Sequence, residues 1–302
     1  MTEPVFERRI RLADALPFAT IHLLCIGVLW VGWSWVAVLV ALLCAAVRMF
    51  VITAFYHRYF SHRAFRVHRA TQTIAAALGT TTAQRGPLWW AGHHRHHHRR
   101  SDRPDDLHSP VQHGFWWSHC GWFLSPKGIT NPSAMTDFAK YPELQWIDRW
   151  HLLGPPLLGA AMFALGATLA TVAPDLGTSG AQMFVWGFAV STTALYHATF
   201  TINSLAHVWG RRPFETADTS RNNLWLALLT LGEGWHNNHH HYPASARQGF
   251  RWWEIDVAYA VLCVMRWLGL AWDLRPVPAH ILDGRPASDA VPAAAQTGEQ
   301  SQ

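Results

Sequence analysis

Hydrophobic positions in this chain come in long unbroken runs rather than in the period-2 or period-3.6 spacing of a half-buried strand or helix. From residue 15 to about residue 56 the chain is apolar for roughly forty residues, broken only by Gly32-Trp33-Ser34, and a bilayer core takes roughly 20 residues per spanning helix. That length predicts a hairpin of two spans, 15–33 and 35–56. A second pair is predicted at 151–173 and 181–201, where the Gly, Pro and Ser of residues 174–180 mark a short turn. The first span is expected to be a permanent helix rather than a cleaved signal, because its apolar run continues into the second with no small-residue cleavage pattern between them. Between and after the hairpins lie two polar segments, 57–150 and 202–282. No internal repeat or second domain is visible, so residues 1–282 are expected to form one membrane domain. The tail 283–302, rich in Ala, Pro, Gln and Ser, cannot bury a core and is expected to be disordered.

Charge placement orients these elements. Of 24 Lys and Arg, three precede the first span, Arg48 sits near the end of the second, twelve lie from Arg58 to Arg149 and eight follow Ala206. Neither hairpin turn carries any. Positive charge is retained on the cytoplasmic side of short loops, so a multi-pass protein with both termini and both polar segments in the cytoplasm is expected. Most of the net charge of +5 would then meet anionic lipid headgroups or an acidic protein rather than nucleic acid. Trp pairs such as Trp89-Trp90, Trp116-Trp117 and Trp252-Trp253 suit the membrane interface. The four cysteines, Cys25, Cys44, Cys120 and Cys263, lack ligand spacing and suggest neither a disulfide framework nor a zinc site.

Chemistry concentrates in the histidines, 20 in 302 residues. Three groups fall on the cytoplasmic side: His57 and His62, the run from His93 to His98, and His236 with His239, His240 and His241. A helix turns about 100° per residue, so His236, His239 and His240 share a face and can converge on one or two metals. In the middle run the same His-x-x-His-His spacing can be read as His94/His97/His98 or as His93/His96/His97. His57 and His62 are roughly 140° apart on an α-helix, so they must share a metal across a helix end or serve different metals. His207, one turn after Asn203, closes the fourth span. Imidazole suits several transition metals, but eight or nine convergent rings exceed the four ligands of a structural zinc and give two ions about four or five nitrogens each. The pattern points to a dinuclear redox site. Of the two Glu-x-x-His pairs that a carboxylate-rich di-iron bundle needs, only Glu233-x-x-His236 is present. His68, His108, His113, His119, His151, His197 and His280 are isolated and read as structural, and His22 as a helix-packing contact.

At these positions the chain resembles the membrane fatty acyl desaturases of the stearoyl-CoA (delta-9) type, whose boxes run His-x4-His, His-x-x-His-His and His-x-x-His-His. The likeness extends from about Phe50 to Pro278 through Gly114-Phe115-Trp116-Trp117-Ser118-His119-Cys120-Gly121-Trp122, Asn203-Ser204-Leu205-Ala206-His207, Gly232-Glu233-Gly234-Trp235-His236 and Leu270-Ala271-Trp272-Asp273. Trp90, Arg95 and Ser101-Asp102 match that pattern only in the first register of the middle run. The implied metal ligands are therefore His57, His62, His94, His97, His98, His207, His236, His239 and His240, with Asn203 acting through water and His93 and His96 left outside. The implied fold is all-α: four transmembrane helices in two hairpins under a cytosolic helical cap that carries a di-iron site, with the amphipathic stretches 71–83 and 250–270 along the membrane surface.

The resemblance also implies a reaction. A methylene deep in an alkyl chain has no acidic proton for a base to take, so two iron ions, molecular oxygen and two external electrons would remove hydrogen from adjacent carbons and leave a cis double bond, at delta-9. Histidine ligands must be neutral, so low pH should weaken metal binding. The stearoyl-CoA enzymes have an Arg-Asp pair before the middle box that helps hold coenzyme A, whereas Gly92 and His93 stand here. The acyl carrier is thus either coenzyme A or a membrane lipid. Electrons should come from a separate donor of the ferredoxin or cytochrome b5 type with its reductase. Two alternatives use similar histidines: a di-iron hydroxylase or ketolase, against which the His-x4-His box and the Asn203/His207 pair count, and a metal-binding or metal-transporting membrane protein, which would place its ligands near mid-membrane.

Overall fold

The computed structural model describes residues 9–126 and 135–282; the expected disordered tail lies outside them. Three helices among the described residues are long and apolar enough to cross a membrane: α1 (Leu12–Val31), α2 (Trp35–Ser61) and, later in the chain, His151–Val172. The α1–α2 turn forms where Gly32 adopts φ +63° and Ser34 caps α2 by accepting from the Ala37 amide at 3.1 Å. After α2 the chain makes strand β1 (Arg66–Val67), α3 (Arg69–Thr80), α4 (Pro87–Arg100) and α5 (Pro142–Arg149). The third apolar helix, α6, is followed by a turn at Pro174–Leu176 and by α7, built from Gly180–Met183, a π-helical stretch Phe184–Val190 and Ser191–Asn203 in succession. Short helices α8 (Leu224–Leu229) and α9 (His236–His241), helix α10 (Val257–Trp267) and strand β2 (Ala271–Trp272) complete it. β2 pairs antiparallel with β1, Arg66 opposite Trp272.

Helix α7 is as continuous as the other three but less apolar, and its polar side chains explain why. Gln182 holds the α1–α2 turn, accepting from Ser34 Oγ at 2.6 Å and donating to the Val31 carbonyl at 3.0 Å. Ser191 and Thr192 take the buried Arg48 guanidinium at 2.6 and 2.8 Å, and Thr199 accepts from Gln84 at 3.2 Å. His197 contacts His22 of α1 at 3.1 Å, the packing role expected for His22. Gln182, Ser191 and Thr192 are buried against protein, where their bonds are satisfied, whereas His197 is exposed. Close approach of α6 depends on small residues: a Cβ at Gly166 would meet the Ser179 carbonyl at 2.3 Å.

Helix α2 matters most for the site. Its 27 residues span roughly 40 Å at about 1.5 Å each, more than a hydrocarbon core of roughly 30 Å. It runs through His57 rather than ending at residue 56 as expected from hydropathy. Its last segment, Val51–Ser61, is wholly buried, wrapped by α3, α4 and α10 around a core that includes Tyr56, Phe60, Phe65, Leu144 and Leu262. The expected surface stretches are partly amphipathic: α3 exposes Ile74 and Leu78, and α10 exposes Val264 and Trp267, but helix begins only at Val257 and not at residue 250.

Candidate metal centre

Four elements bring the nine histidines singled out in the sequence into two groups. His57, His62, His94, His98 and His239 form one, and His97, His207, His236 and His240 the other; within each, the ligand atoms lie within 4.8 Å of one another. His57 and His62 belong to the same group because Val51–Ser61 is a π-helix, in which the His62 amide bonds the His57 carbonyl at 3.3 Å. An i→i+5 turn stacks residues five apart, which an α-helix would not; the ring centroids are 4.9 Å apart.

Both His-x-x-His-His boxes divide the same way. The first and last histidines, separated by about 40° on the helix, stay together, whereas the middle one lies about 100° from the last. Thus α4 sends His94 and His98 to one group and His97 to the other, and α9 sends His236 and His240 to one and His239 to the other. His207 reaches the four-histidine group from the turn Leu205–His207 after α7. His93 and His96 belong to neither group: His93 packs against Trp89 and Trp122, and His96 lies 3.1 Å from the Asp105 carbonyl.

Carboxylates set the tautomers from behind. His97 Nδ1 donates to Asp106 at 2.9 Å, His240 Nδ1 to Asp218 at 2.7 Å, and His207 Nδ1 lies 3.5 Å from Asp102. His57 Nδ1 contacts Glu233, which also receives Arg58 at 3.5 Å. Each such bond leaves the Nε2 lone pair turned toward the group's centre. Glu233 is therefore a partner of His57 and not a member of either histidine group. These acids had no recognisable spacing to their histidines; Ser101-Asp102 was visible only through the family pattern.

The donor set fits metal ions. His239 Nε2 lies 2.9 Å from His57 Nε2 and 2.8 Å from His98 Nε2, and His62 Nε2 lies 2.8 Å from His94 Nε2. One proton on His239 cannot serve both neighbours. His240 Nε2 is buried without a hydrogen-bond partner, an arrangement costly for a neutral ring and relieved by a cation between the lone pairs. Burial, reinforced by neighbouring rings, pushes His94, His98, His236 and His239 well below the ordinary histidine range. His240 is pushed down to about 4, burial outweighing Asp218. Burial alone would raise Asp106 and Asp218, but their histidines hold both carboxyls well below the usual range.

An apolar cavity of about 790 Å³ reaches this centre, and a smaller space of about 40 Å³ continues past it between Met49, Ile52 and Thr230. Trp90, His94, His108, Thr199 and Asn203 line both. At the junction Gln84 ties the wall together, donating to Thr199 and accepting from Trp90 at 3.5 Å. His108, which reads as isolated in the sequence, is buried here with its ring centroid 4.2 Å from that of His97 and forms a further group with His97 and Asp106.

The fatty acid desaturase family profile matches residues 33–269. The chain belongs to this family. It is 36% identical over 248 residues to the palmitoyl-monogalactosyldiacylglycerol delta-7 desaturase of Arabidopsis thaliana, covering 80% of this chain and 63% of that protein. It is also 35% identical to an acyl-CoA 5-desaturase of Anemone leveillei (86% of this chain, 78% of the relative) and to the sn-1 stearoyl-lipid 9-desaturase of Anabaena variabilis (81% and 86%). The desaturase match takes in α2 to α10 and with them every histidine of both groups.

Proposed function

We propose that this desaturase introduces a cis double bond, at delta-9, into a saturated acyl chain carried on coenzyme A or on a membrane lipid. The reading rests on one observation: nine histidine rings divide into two metal-sized groups where an apolar cavity ends. The supporting relatives are named for both acyl-CoA and acyl-lipid substrates. In this proposal the chain is one domain with four spans, α1, α2, α6 and α7, and a cytosolic helical cap; both termini and the site face the cytoplasm. Electrons arrive from a separate ferredoxin or cytochrome b5 type donor.

Two iron ions, one per histidine group, would supply the oxygen and one-electron chemistry that an unactivated carbon requires. Asn203 would contribute through water. The rest falls to the protein. Asp106, Asp218, Asp102 and Glu233 keep imidazole lone pairs inward. The wall of Trp90, Gln84 and Thr199 fixes which carbons lie beside the centre, and the apolar lining excludes water that would quench a reactive intermediate. One saturated chain, dioxygen, two electrons and two protons yield the alkene and two waters.

Expression in a host with a saturated fatty-acid pool, followed by mass spectrometry of total lipids, tests this. New monounsaturated chains are expected, with iron bound at two per polypeptide, and His239→Ala should abolish both the product and full iron content. Hydroxylated or unchanged chains would overturn the desaturase assignment, and an active His239→Ala protein would overturn the site.

A further inference from the structure

The acids behind the two histidine groups differ in what neutralises them. Behind the four-histidine group stand three buried aspartates: Asp106 at His97, Asp218 at His240 and Asp102 at His207. Among the described residues, their other hydrogen bonds come from uncharged donors. Asp106 takes the Asp102 and His108 amides at 3.0 and 3.3 Å. Asp102 takes the Ser109 hydroxyl at 2.6 Å and the Thr219 amide and hydroxyl at 2.7 and 2.6 Å. Asp218 takes the Ser220 amide at 2.9 Å and the Thr216 hydroxyl at 3.1 Å. Arg212 reaches only the main-chain carbonyl of Asp218, at 2.6 Å, from an exposed position where solvent screens it.

The five-histidine group is backed by a cation as well as by acids. His57 Nδ1 contacts Glu233, and Glu233 shares the buried guanidinium of Arg58, at 3.5 Å, with Asp256, at 3.0 Å. Asp256 is fixed in turn by the Gln248 amide at 2.7 Å and by the Tyr259 amide at 3.0 Å, where it caps α10. The cluster is closed tightly: a Cβ at Gly232 would meet Asp256 Oδ1 at 2.4 Å and Arg58 Nη2 at 2.8 Å. A second cation, Arg95, donates to the Ser61 and Phe60 carbonyls of the π-helical end at 2.8 and 2.7 Å and pairs with Asp137 at 2.8 Å. Arg58 thus takes back much of the negative charge that Glu233 would lend to His57.

A carboxylate hydrogen-bonded to a ligating imidazole stabilises positive charge at the metal, and burial strengthens the effect because little solvent screens it. A fifth imidazole adds a donor but no charge. We propose that these acids make the two groups electrically unequal, the four-histidine group being built to hold the more positive ion of a half-oxidised pair. This rests on the di-iron reading of the site. Asp102, Asp106 and Asp218 then set a lower reduction potential at their group than Glu233, offset by Arg58, sets at the other. The separate donor, delivering one electron at a time, reduces the five-histidine group first and the four-histidine group second. The two electrons together take both ions from ferric to ferrous, the number that the proposed reaction consumes.

The test needs neither substrate nor turnover. The purified full-length chain in nanodiscs, loaded with excess ferrous iron of the Mössbauer isotope, is titrated potentiometrically and read by Mössbauer and electron paramagnetic resonance spectroscopy. Two one-electron steps are expected, with one ferric and one ferrous ion per chain between them. Asp218→Asn or Asp106→Asn should raise the lower midpoint potential and change the ferric signal, while the upper step stays in place. Glu233→Gln should raise the upper step and change the ferrous signal alone. A single two-electron step, a delocalised half-reduced signal, or an Asp218→Asn protein whose lower step does not move overturns the inference. If neither aspartate variant holds two irons in excess metal, Glu233→Gln decides: a shift of the lower step, or no shift, overturns it. Two irons with equal potentials would leave the di-iron reading standing, whereas fewer than two irons per wild-type chain would remove both.

Discussion

At the scale of single residues, the acid behind a proposed ligand histidine sets how its ring would meet a metal. His240 and His97 each give Nδ1–H to a buried aspartate, which orients the ring and enriches Nε2. Asp218→Asn should therefore weaken metal binding at the four-histidine group by about 10–100-fold, measurable as iron retained during chelator titration, whereas His93→Ala, outside both groups, should leave retention unchanged. Protonation acts on the same atoms. Folded His94, His98, His236 and His239 titrate below the ordinary value of 6.5, so below that pH the unfolded chain binds more protons than the folded one. The metal-free protein should be most stable above about pH 6.5 and lose stability as pH falls; thermal melts of chelated protein across pH 5–8 read this directly, and a rise in melting temperature toward pH 5 would contradict it. The nine histidines were legible in sequence because their type and spacing carry the chemistry. Asp106, Asp218 and His108 were not, since nothing local ties an aspartate to a histidine on another element.

At the scale of elements, α2 and its π-helical end decide the geometry. An α-helix would aim His57 and His62 apart, and the i→i+5 bond at 3.3 Å brings them onto one group; spacing alone left that open. The segment is held by its neighbours, most closely at Gly79 of α3, where an added Cβ would sit 2.0 Å from the Tyr56 ring. Tyr56 in turn donates to the Ala76 carbonyl at 3.0 Å. Gly79→Ala removes a helix-weakening glycine yet should destabilise by about 1–3 kcal/mol, because the buried Tyr56 ring has little room to shift. A lowered melting temperature in detergent is expected; a raised one would mean that α3 can slide away from α2. The His-x-x-His-His boxes behave more regularly: helical phase alone accounts for the first and last histidines staying together.

At the scale of the whole molecule, the apolar runs and the placement of Lys and Arg argue for a cytoplasmic site, and the topology is open to direct measurement. A fluorescent protein fused after Gln302 should be bright, as folding in the bacterial cytoplasm requires, and alkaline phosphatase fused in the 174–180 turn should be active; the opposite pattern would invert the orientation. Hydropathy understated α7, because Gln182, Ser191 and Thr192 are counted as polar wherever they point, and only packing satisfies them, against the α1–α2 turn and the Arg48 guanidinium. By itself the sequence determined the apolar spans, the family and the nine histidines, since bilayer thickness and metal-ligand chemistry act through composition and short spacing. Tertiary structure alone decided how those histidines divide five and four, which acids orient them and where the cavity opens. Those features depend on the relative placement of helices far apart in the chain, and no local pattern encodes that distance.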